Sequence, residues 1–305
     1  MKMRKQMRFL KVGILALGVL AIGSCNNDDD SLPQIDGYNN SDEVGATYLV
    51  AHWTFDDTNN EVISSTAPNK TLGGVAFTTG QIGKALQLSK GAIAFPPIDK
   101  INTVDALNNF TVSLWVNVQG TKGVAGGGFT SFFGIFPTSV SDVWGNLQAC
   151  AETSRHLPAS DTLELKNYLN TTLADNSQSG QDNVALKNTG TDAPNGGTGK
   201  YFMGGNKWAH YVMTWDGATH QFALYGNGES VGGYTDRGTT PVLKMRVPAQ
   251  AMFGSMASAD MGFANATRPD WAPLATASID DVRVFNTVLA QKDIVALFNL
   301  GTAGR

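Results

Sequence analysis

Residues 277–300, ASIDDVRVFNTVLAQKDIVALFNL, constrain the fold of this chain more than any other segment. The first part mixes apolar and charged side chains in the way of a half-buried β-strand. The apolar residues that follow recur at i, i+3 and i+4, the spacing of one helix face, and are Ile294, Leu297 and Phe298. Gly301 lies where a helix C-cap is expected. A charged strand followed by one short helix is therefore predicted here.

The rest of the chain has the composition of an all-β domain. It contains 34 glycines and few long amphipathic windows, which favours many strands and turns. The clearest strand is FTVSLWVNV, in which alternate residues from Phe110 to Val118 are apolar and predict one face in a core. A tight turn is predicted at Asn227-Gly228, because both residue types tolerate positive φ. The candidate strands are residues 49–55, 84–88, 92–95, 110–118, 131–136, 208–215, 221–225 and 278–285.

The first 24 residues predict a targeting segment. Basic residues precede an apolar run at 12–22, which is too short to span a bilayer. The run ends in IGSC, with small residues before Cys25, and this resembles the lipobox of bacterial lipoproteins. The resemblance implies cleavage after residue 24, acylation of Cys25 and membrane attachment by lipid alone. A plain secretory signal followed by a chance cysteine is the alternative.

The residues after Cys25 predict a spacer at the cell surface. The run NNDDD resembles the export signal that sends lipoproteins of Bacteroides-type bacteria to the exterior face of the outer membrane. Periplasmic retention with a solvated spacer is the alternative. Residues 25–46 are polar with little apolar pattern, so we expect a lipidated cysteine and a flexible tether. The single domain is then residues 47–305.

The charge of the chain argues against one class of partner. The whole sequence has 22 basic and 26 acidic residues. Removing the five basic residues of the targeting segment leaves 17 against 26, a net charge near −9. Nucleic-acid binding requires Lys and Arg concentrated on one face, and no basic cluster is present. No nucleic acid is expected as a partner.

Five segments occur in an order that resembles a known family. They are AHWTFDD at 51–57, GQIGKALQLSKGAIAFP at 80–96, NNFTVSLWVNV at 108–118, KWAHYVMTWDGATHQFALYGNGE at 207–229 and the strand and helix at 278–300. Together they resemble laminin-G-like, concanavalin A-like jelly-roll domains. The resemblance implies an all-β sandwich of two antiparallel sheets with one short C-terminal helix. Residues 119–206 depart from it, so we expect a long mid-chain insertion there, partly helical near 161–173.

Catalysis is not expected. Hydrolases that share this fold carry Glu-x-Asp-x-x-Glu on one strand, and no such triplet occurs here. The four histidines, at 52, 156, 210 and 220, predict neither a zinc cluster nor a catalytic triad. Cys150 has His156 six residues on, but a buried, inert thiol is the simpler interpretation. A divergent glycoside hydrolase with carboxylates assembled from loops is the less favoured alternative.

One structural calcium ion is implied by the family resemblance. Relatives bind it with acidic residues near the opening and closing strands, and the matching positions here are Asp56, Asp57 and Asp280. Relatives also carry a carboxylate in the turn after the opening motif, where this chain has ISST at 63–66. Aspartates that only cap turns are an equally good interpretation.

Two of the six tryptophans are candidates for stacking on sugar rings. The other four fall within family motifs and are interpreted as core residues, namely Trp53, Trp115, Trp208 and Trp215. Trp144 and Trp271 lie in polar segments predicted as loops. The polar residues near them in sequence that could contact sugar hydroxyls are Asn146, Arg155, Arg268 and Asp270.

These patterns together predict a lipid-anchored outer-membrane protein that faces the cell exterior and binds a glycan or polysaccharide. Thr162, in the tripeptide DTL, resembles an O-glycosylation acceptor of Bacteroides-type bacteria, which would require an exposed loop. The alternative function is an adhesion or structural module. In that case residues 119–206 would meet a protein partner in a surface uptake or adhesion complex.

Overall fold

The computed structural model describes residues 32–118, 128–140, 142–152, 161–172, 175–184, 202–234 and 244–305. The part of the chain that forms the domain is one compact unit, Gln34–Arg305. No helix in the described ranges is long and apolar enough to cross a membrane. Residues 1–24 and Cys25 lie outside these ranges, so the targeting segment and the lipidation stay predictions.

The described secondary structure is almost entirely β, followed by one helix. The strands are β1 (Leu49–Trp53), β2 (Lys70–Thr79), β3 (Lys84–Ala94), β4 (Asn109–Val118), β5 (Phe129–Pro137), β6 (Leu147–Glu152), β7 (Leu165–Thr172), β8 (Gln178–Val184), β9 (Ala209–Asp216), β10 (Gln221–Gly226), β11 (Glu229–Tyr234), β12 (Pro248–Phe253) and β13 (Ala275–Phe285). The helix is α1 (Gln291–Thr302). The predicted strand that leads into a C-terminal helix is confirmed.

The strands form one antiparallel sheet that curls back on itself. Its order is β11-β10-β9-β4-β13-β3-β12-β5-β6-β7-β8, with β1 also paired to β13 and β2 to β3. The two halves of this path face each other: the ring of Phe132 in β5 lies 6.4 Å from that of Tyr211 in β9. The Tyr211 hydroxyl also donates to the backbone oxygen of Lys166 in β7, at 2.7 Å. We call β1, β4, β9–β11 and β13 the helix layer, and β5–β8 and β12 the loop layer.

The main core fills the space between the two layers. Alternate residues of β4, from Phe110 to Val118, belong to it, as the sequence pattern predicts. At its centre the Trp53 ring lies 5.5 Å from Phe133 and 5.2 Å from Phe253, which joins β1 to the loop layer. The predicted two-layer jelly-roll sandwich is therefore confirmed.

The span predicted as an insertion supplies part of the sheet itself. Its described residues include β5 to β8, which are consecutive neighbours in the loop layer. The predicted helix near residues 161–173 is wrong, because Leu165–Thr172 form β7. Leu165 and Leu169 are core residues, and β7 pairs with both β6 and β8. Tertiary pairing thus overrides a leucine spacing that also suits a helix.

Several other elements differ from the predicted ones. The candidate strands at 84–88 and 92–95 form the single strand β3, and the strands that no pattern predicted are β2, β6, β7, β8, β11 and β12. The turn at Asn227-Gly228 is confirmed, since φ is +50° and +77° at these residues. Gly301 lies inside α1 instead of capping it. A Cβ at this position would be 2.6 Å from the Trp115 ring, so glycine allows the ring to pack there.

An N-terminal segment, residues 34–48, packs against the helix layer, and we call it the strap. Val44 is fully buried in a second apolar cluster with Phe285 and residues of α1. The Tyr38 hydroxyl donates to Asp293 Oδ1 at 2.9 Å. The flexible tether predicted for residues 25–46 is therefore wrong for the part from Gln34 onward, since those residues belong to the folded unit.

A buried cluster of charges fastens the strap to β13. Arg283 donates to both carboxylate oxygens of Asp281 at 3.0 Å, to the Ser41 hydroxyl at 2.9 Å and to Asp42 at 2.8 Å. His52 Nε2 lies 2.8 Å from Asp281 Oδ1. Burial alone would raise the pKa of Asp281, but the Arg283 and His52 side chains hold it well below its usual range. Asp281 is therefore ionised, and its charge depends on Arg283.

Replacing Arg283 with methionine is expected to destabilise the domain by about 3–5 kcal/mol, because it leaves a buried carboxylate without its main partner. Urea denaturation measures this loss. The matched control is Arg305→Met, since Arg305 also binds the strap, at the Asn39 backbone oxygen, but nearer the surface. We expect less than about 1 kcal/mol for the control. Equal losses in both variants would contradict a special role for the buried cluster.

Candidate functional site

The outer face of the loop layer is set by the alternation of β6 and β7. Leu147, Ala149 and Ala151 of β6 are core residues, so the residues between them face away from the core. In the pairing with β7, Gln148 is opposite Tyr168 and Cys150 is opposite Lys166. This face therefore carries polar and aromatic side chains side by side.

Four aromatic rings gather on this face, and we call them the aromatic surface. They are Phe129, Trp144, Tyr168 and Trp271. The rings of Trp144 and Tyr168 stack at 4.4 Å, and the Trp271 ring meets Phe129 edge-on at 5.1 Å. The centroids of Trp144 and Trp271 are 6.0 Å apart. Trp271 is 45% exposed and Trp144 is half-buried, so the cluster opens to solvent at Trp271.

Lys166 places a positive charge beneath these rings. Its ammonium lies 5.6 Å from the centroid of Trp144 and 5.9 Å from that of Phe129, within the range of a cation–π interaction. It also lies 3.4 Å from Glu152 Oε2. The surface thus combines aromatic faces with a paired charge, and the pairing limits how freely Lys166 can meet a ligand.

Two carboxylates are opposite each other at the edge of the same face. The backbone N–H of Glu152 donates to the backbone oxygen of Glu164 at 2.9 Å, which continues the β6–β7 ladder. Glu164 lies just before β7, between the core residues Leu163 and Leu165, and is itself only 3% exposed. Directly opposite residues of antiparallel strands have Cβ atoms about 5 Å apart.

The predicted polar residues divide into three groups. Asp270 is exposed and adjoins Trp271 in the chain, while Arg155 lies outside the described residues. Asn146 is buried and donates to the backbone oxygen of Arg246 at 2.7 Å. Arg268 binds Asp260 at 2.8 Å, and this hydrogen bond lowers the pKa of Asp260. Asn146 and Arg268 therefore hold the surrounding loops in place.

Phe129, Tyr168, Lys166 and the two glutamates are site residues that sequence reasoning missed. The available signal was a partial alternation in LQACAE and LELKNYLNT, with apolar residues at 147, 149 and 151 and at 163, 165 and 169. Residues 119–206 were predicted to be an insertion, so this strand alternation was not used. The proximity of Trp144 and Trp271 had no local signal, because it depends on how the curled sheet brings their loops together.

Other residues singled out by the sequence lie away from this surface or are buried. Trp53 and Trp215 are core residues, as predicted, while Trp208 is only half-buried. Thr162 is 7% exposed and its hydroxyl faces Met203 Sδ at 3.7 Å, which does not suit a glycosylated loop residue. Cys150 is buried, with its thiol 3.3 Å from the Lys166 backbone oxygen.

Trp115, Ser113 and His210 are buried on the outer face of the helix layer. The Trp115 ring stacks on Phe298 of α1 at 5.8 Å. The Ser113 hydroxyl lies 2.8 Å from His210 Nε2, and both residues are buried. Burial lowers the pKa of His210 to about 3, so its ring is neutral. This pair contributes to packing beneath the helix.

The three aspartates considered for calcium hold a turn between β2 and β3. Asp280 Oδ2 accepts from the backbone N–H groups of Gln81 and Ile82, at 2.8 and 2.9 Å. Asp56 accepts from the backbone N–H of Lys84 at 2.7 Å, and Asp57 pairs with the Lys84 ammonium at 2.6 Å. Within the described ranges, no three His, Cys, Asp or Glu side chains lie close enough together to hold a metal ion. The calcium site therefore stays a prediction.

Asp280 is nevertheless an unusual carboxyl. It is fully buried, and its Oδ1 has no hydrogen-bond partner among the residues that the structure describes. Burial raises the pKa of Asp280 to about 8, although the N–H groups of Ile82 and Gln81 act in the opposite direction. The carboxyl is therefore mostly protonated at neutral pH.

Comparison with known proteins identifies the family. A laminin-G family model, described as the concanavalin A-like lectin/glucanases superfamily, matches residues 89–295. The chain belongs to this superfamily. A comparison with curated proteins finds no matching sequence.

Similar solved structures include domains of an enzyme and of toxins. Domain 4 of AbnA, a GH43 extracellular arabinanase from Geobacillus stearothermophilus in complex with arabinotriose, has a TM-score of 0.50 and 17% identity, and covers 82% of this chain and 98% of its own. The binding domain of Paraclostridial Mosquitocidal Protein 1 has a TM-score of 0.53 and 13% identity, with coverages of 84% and 52%. The binding domain of botulinum neurotoxin DC in complex with rat synaptotagmin II has a TM-score of 0.52 and 14% identity, and the match covers 84% of this chain and 52% of the toxin domain. This chain spans about half of each toxin domain, and at these identities the likeness concerns the fold.

The buried Asp280 carboxyl predicts a pH dependence of stability. Its pKa is about 8 in the folded domain and 3.8 in the unfolded chain, so the unfolded chain ionises first. The contribution of Asp280 to domain stability is therefore expected to fall as the pH rises from about 4 to about 8, and then to level off. His210, whose pKa is about 3 in the fold, contributes in the opposite direction below its unfolded pKa of 6.5, so the Asp280 effect is measured as a difference from a variant. Asp280→Asn removes this titration, so its melting temperature should rise relative to the unchanged protein across that range.

Thermal unfolding of both proteins at a series of pH values measures this difference. Parallel curves would contradict the raised pKa. Calcium that raises the melting temperature of the unchanged protein, but not of the Asp280→Asn variant, would instead support metal binding by an ionised Asp280.

Proposed function

We propose that the protein is a surface-anchored, lectin-like lipoprotein that binds a glycan or polysaccharide, without catalysis of its own. The observation that carries this proposal is the meeting of Trp144 and Trp271, far apart in sequence, with centroids 6.0 Å apart on one outer face. The lectin/glucanase superfamily of the fold is consistent with it.

The chemistry of the aromatic surface suits sugar rings. Aromatic faces stack on the apolar C–H faces of sugars, and a few polar groups fix the orientation of a ligand. Trp271 supplies an accessible ring, and Asp270 adjoins it in the chain. Glu152 is partly accessible beside the rings, with Lys166 as its partner. This combination favours a glycan over a purely apolar ligand.

We propose that the protein is attached to the membrane through Cys25. The chain enters the domain at the strap, which packs on the helix layer. The aromatic surface lies on the loop layer, on the other side of the main core. We therefore propose an outer-membrane lipoprotein facing the exterior. Cys25→Ser should release the protein from the membrane fraction, and full retention of this variant would contradict lipid anchoring.

The glycan proposal predicts a defined loss of binding. A fragment of residues 34–305, which keeps the strap, is applied to a glycan array with calcium and with chelator. Trp271→Ala should weaken binding at least about tenfold, because it removes the exposed stacking face. Trp144→Ala should do the same, because it removes the ring that packs beside Trp271 at 6.0 Å. The matched control is Tyr48→Ala, an exposed aromatic residue of the strap, which should bind normally.

The array also separates the proposal from its alternatives. Binding that survives both tryptophan changes would contradict this site. No binding to any glycan by a folded domain would favour the adhesion module with a protein partner. Loss of binding with chelator would support calcium as a structural ion.

One observation favours a second candidate, glycoside hydrolysis. The backbones of Glu152 and Glu164 pair beside the aromatic surface, and retaining hydrolases use two neighbouring carboxyl groups. Glu164 is buried, so hydrolysis would require its side chain to become accessible to the sugar. The ion pair of Glu152 with Lys166 acts against a free catalytic carboxylate. Release of reducing ends from a bound oligosaccharide, lost in Glu152→Gln and Glu164→Gln, would support hydrolysis over simple binding.

A further inference from the structure

Gln148 occupies the middle of the face that carries the aromatic surface. It lies in β6 between Gly134 of β5 and Tyr168 of β7, and Trp144 stacks on Tyr168 at 4.4 Å. A Cβ at position 134 would lie 2.9 Å from Gln148 Cγ, so the glycine gives this side chain its room. The long polar side chain is therefore accommodated directly beside the stacked rings.

The Gln148 amide is buried without a partner among the described residues. Gln148 is fully buried, and neither Nε2 nor Oε1 makes a hydrogen bond there. One strand away, the buried Oδ1 of Asn170 also has no partner within the described ranges. Leu169 on one side of Asn170 is a core residue, so Asn170 shares the outer face with Gln148.

An unpaired buried amide is unfavourable for the folded domain. Burying a polar group without a hydrogen bond destabilises a protein, and an apolar residue of similar size would avoid this penalty. Residues that reduce stability in this way are typical of functional sites. Because Gln148 lies beside the aromatic surface, a ligand bound there could form the hydrogen bonds that the buried amide lacks.

We propose that the Gln148 amide, together with the Asn170 carbonyl oxygen, is the hydrogen-bonding floor of the glycan site. A side-chain amide offers one donor and one acceptor side by side, which matches two adjacent hydroxyl groups of a neutral sugar. Because Gln148 is fully buried in the free domain, the proposal requires side chains around it to move when the sugar binds. This inference rests on the proposed function and names a specificity-determining residue within that site.

The test combines stability and binding in the same variants. Gln148→Leu and Gln148→Met remove the amide, and the second keeps the length of the side chain in case leucine packs poorly. The matched control is Gln250→Leu in β12, whose amide is paired with the Met261 backbone oxygen at 3.1 Å. The probes are neutral trisaccharides of arabinose, xylose, glucose and mannose, with binding measured by calorimetry.

We expect at least one Gln148 variant to melt at a higher temperature than the unchanged domain and to bind the preferred trisaccharide about tenfold more weakly. The Gln250→Leu variant should gain no stability and bind normally. Lower melting temperatures in both Gln148 variants would overturn the inference, because the amide would then be paired in the free domain. Unchanged binding in both would also overturn it while leaving the glycan function intact. Failure of the unchanged domain to bind any probe or array glycan would instead reject the proposed function, and this inference with it.

Discussion

Strand β13 pairs with three other strands, and the two carboxyls at its bulge, Asp280 and Asp281, also hold the β2–β3 turn and the strap. Along one edge β13 pairs with β4, and along the other it pairs first with β3 and then with β1. At the bulge, where φ of Asp281 is +43°, the two carboxyls point to different partners. Asp280 holds the β2–β3 turn, whereas Asp281 holds Arg283 and, through it, the strap. One irregularity in a central strand therefore connects both the strap and the β2–β3 turn to the sandwich.

The two outer faces of the sandwich are covered in different ways. On the helix layer, α1 and the strap bury an apolar cluster around Phe285. On the loop layer, the loops before β6 and β13 pack over the outer face of the sheet. Trp144 and Trp271, one from each loop, belong to the aromatic surface. Trp271, in the loop before β13, is 45% exposed. The candidate site follows from this difference between the layers.

Sequence patterns predicted the elements whose signal is local. The alternation from Phe110 to Val118 and the change of period after Phe285 required only neighbouring residues. Patterns failed where a distant partner decides the outcome. The spacing of the leucines near position 165 is also compatible with a helix, but pairing with β6 and β8 makes this segment a strand. Gly301 was predicted as a helix cap, but it lies within α1 where the Trp115 ring packs against it. Trp144 and Trp271 could be chosen as candidates from their loop contexts, but their proximity depends on the curl of the whole sheet.

The most direct test is an NMR titration of the domain with an oligosaccharide that it binds, in which the indole N–H signals of the tryptophans are followed. The account predicts that the signals of Trp144 and Trp271 shift with a common dissociation constant. The signals of Trp53 and Trp215, which lie in the main core, should stay in place. Shifts confined to other tryptophans, or saturating binding with no change at Trp144 and Trp271, would contradict the assignment of the aromatic surface as the glycan site.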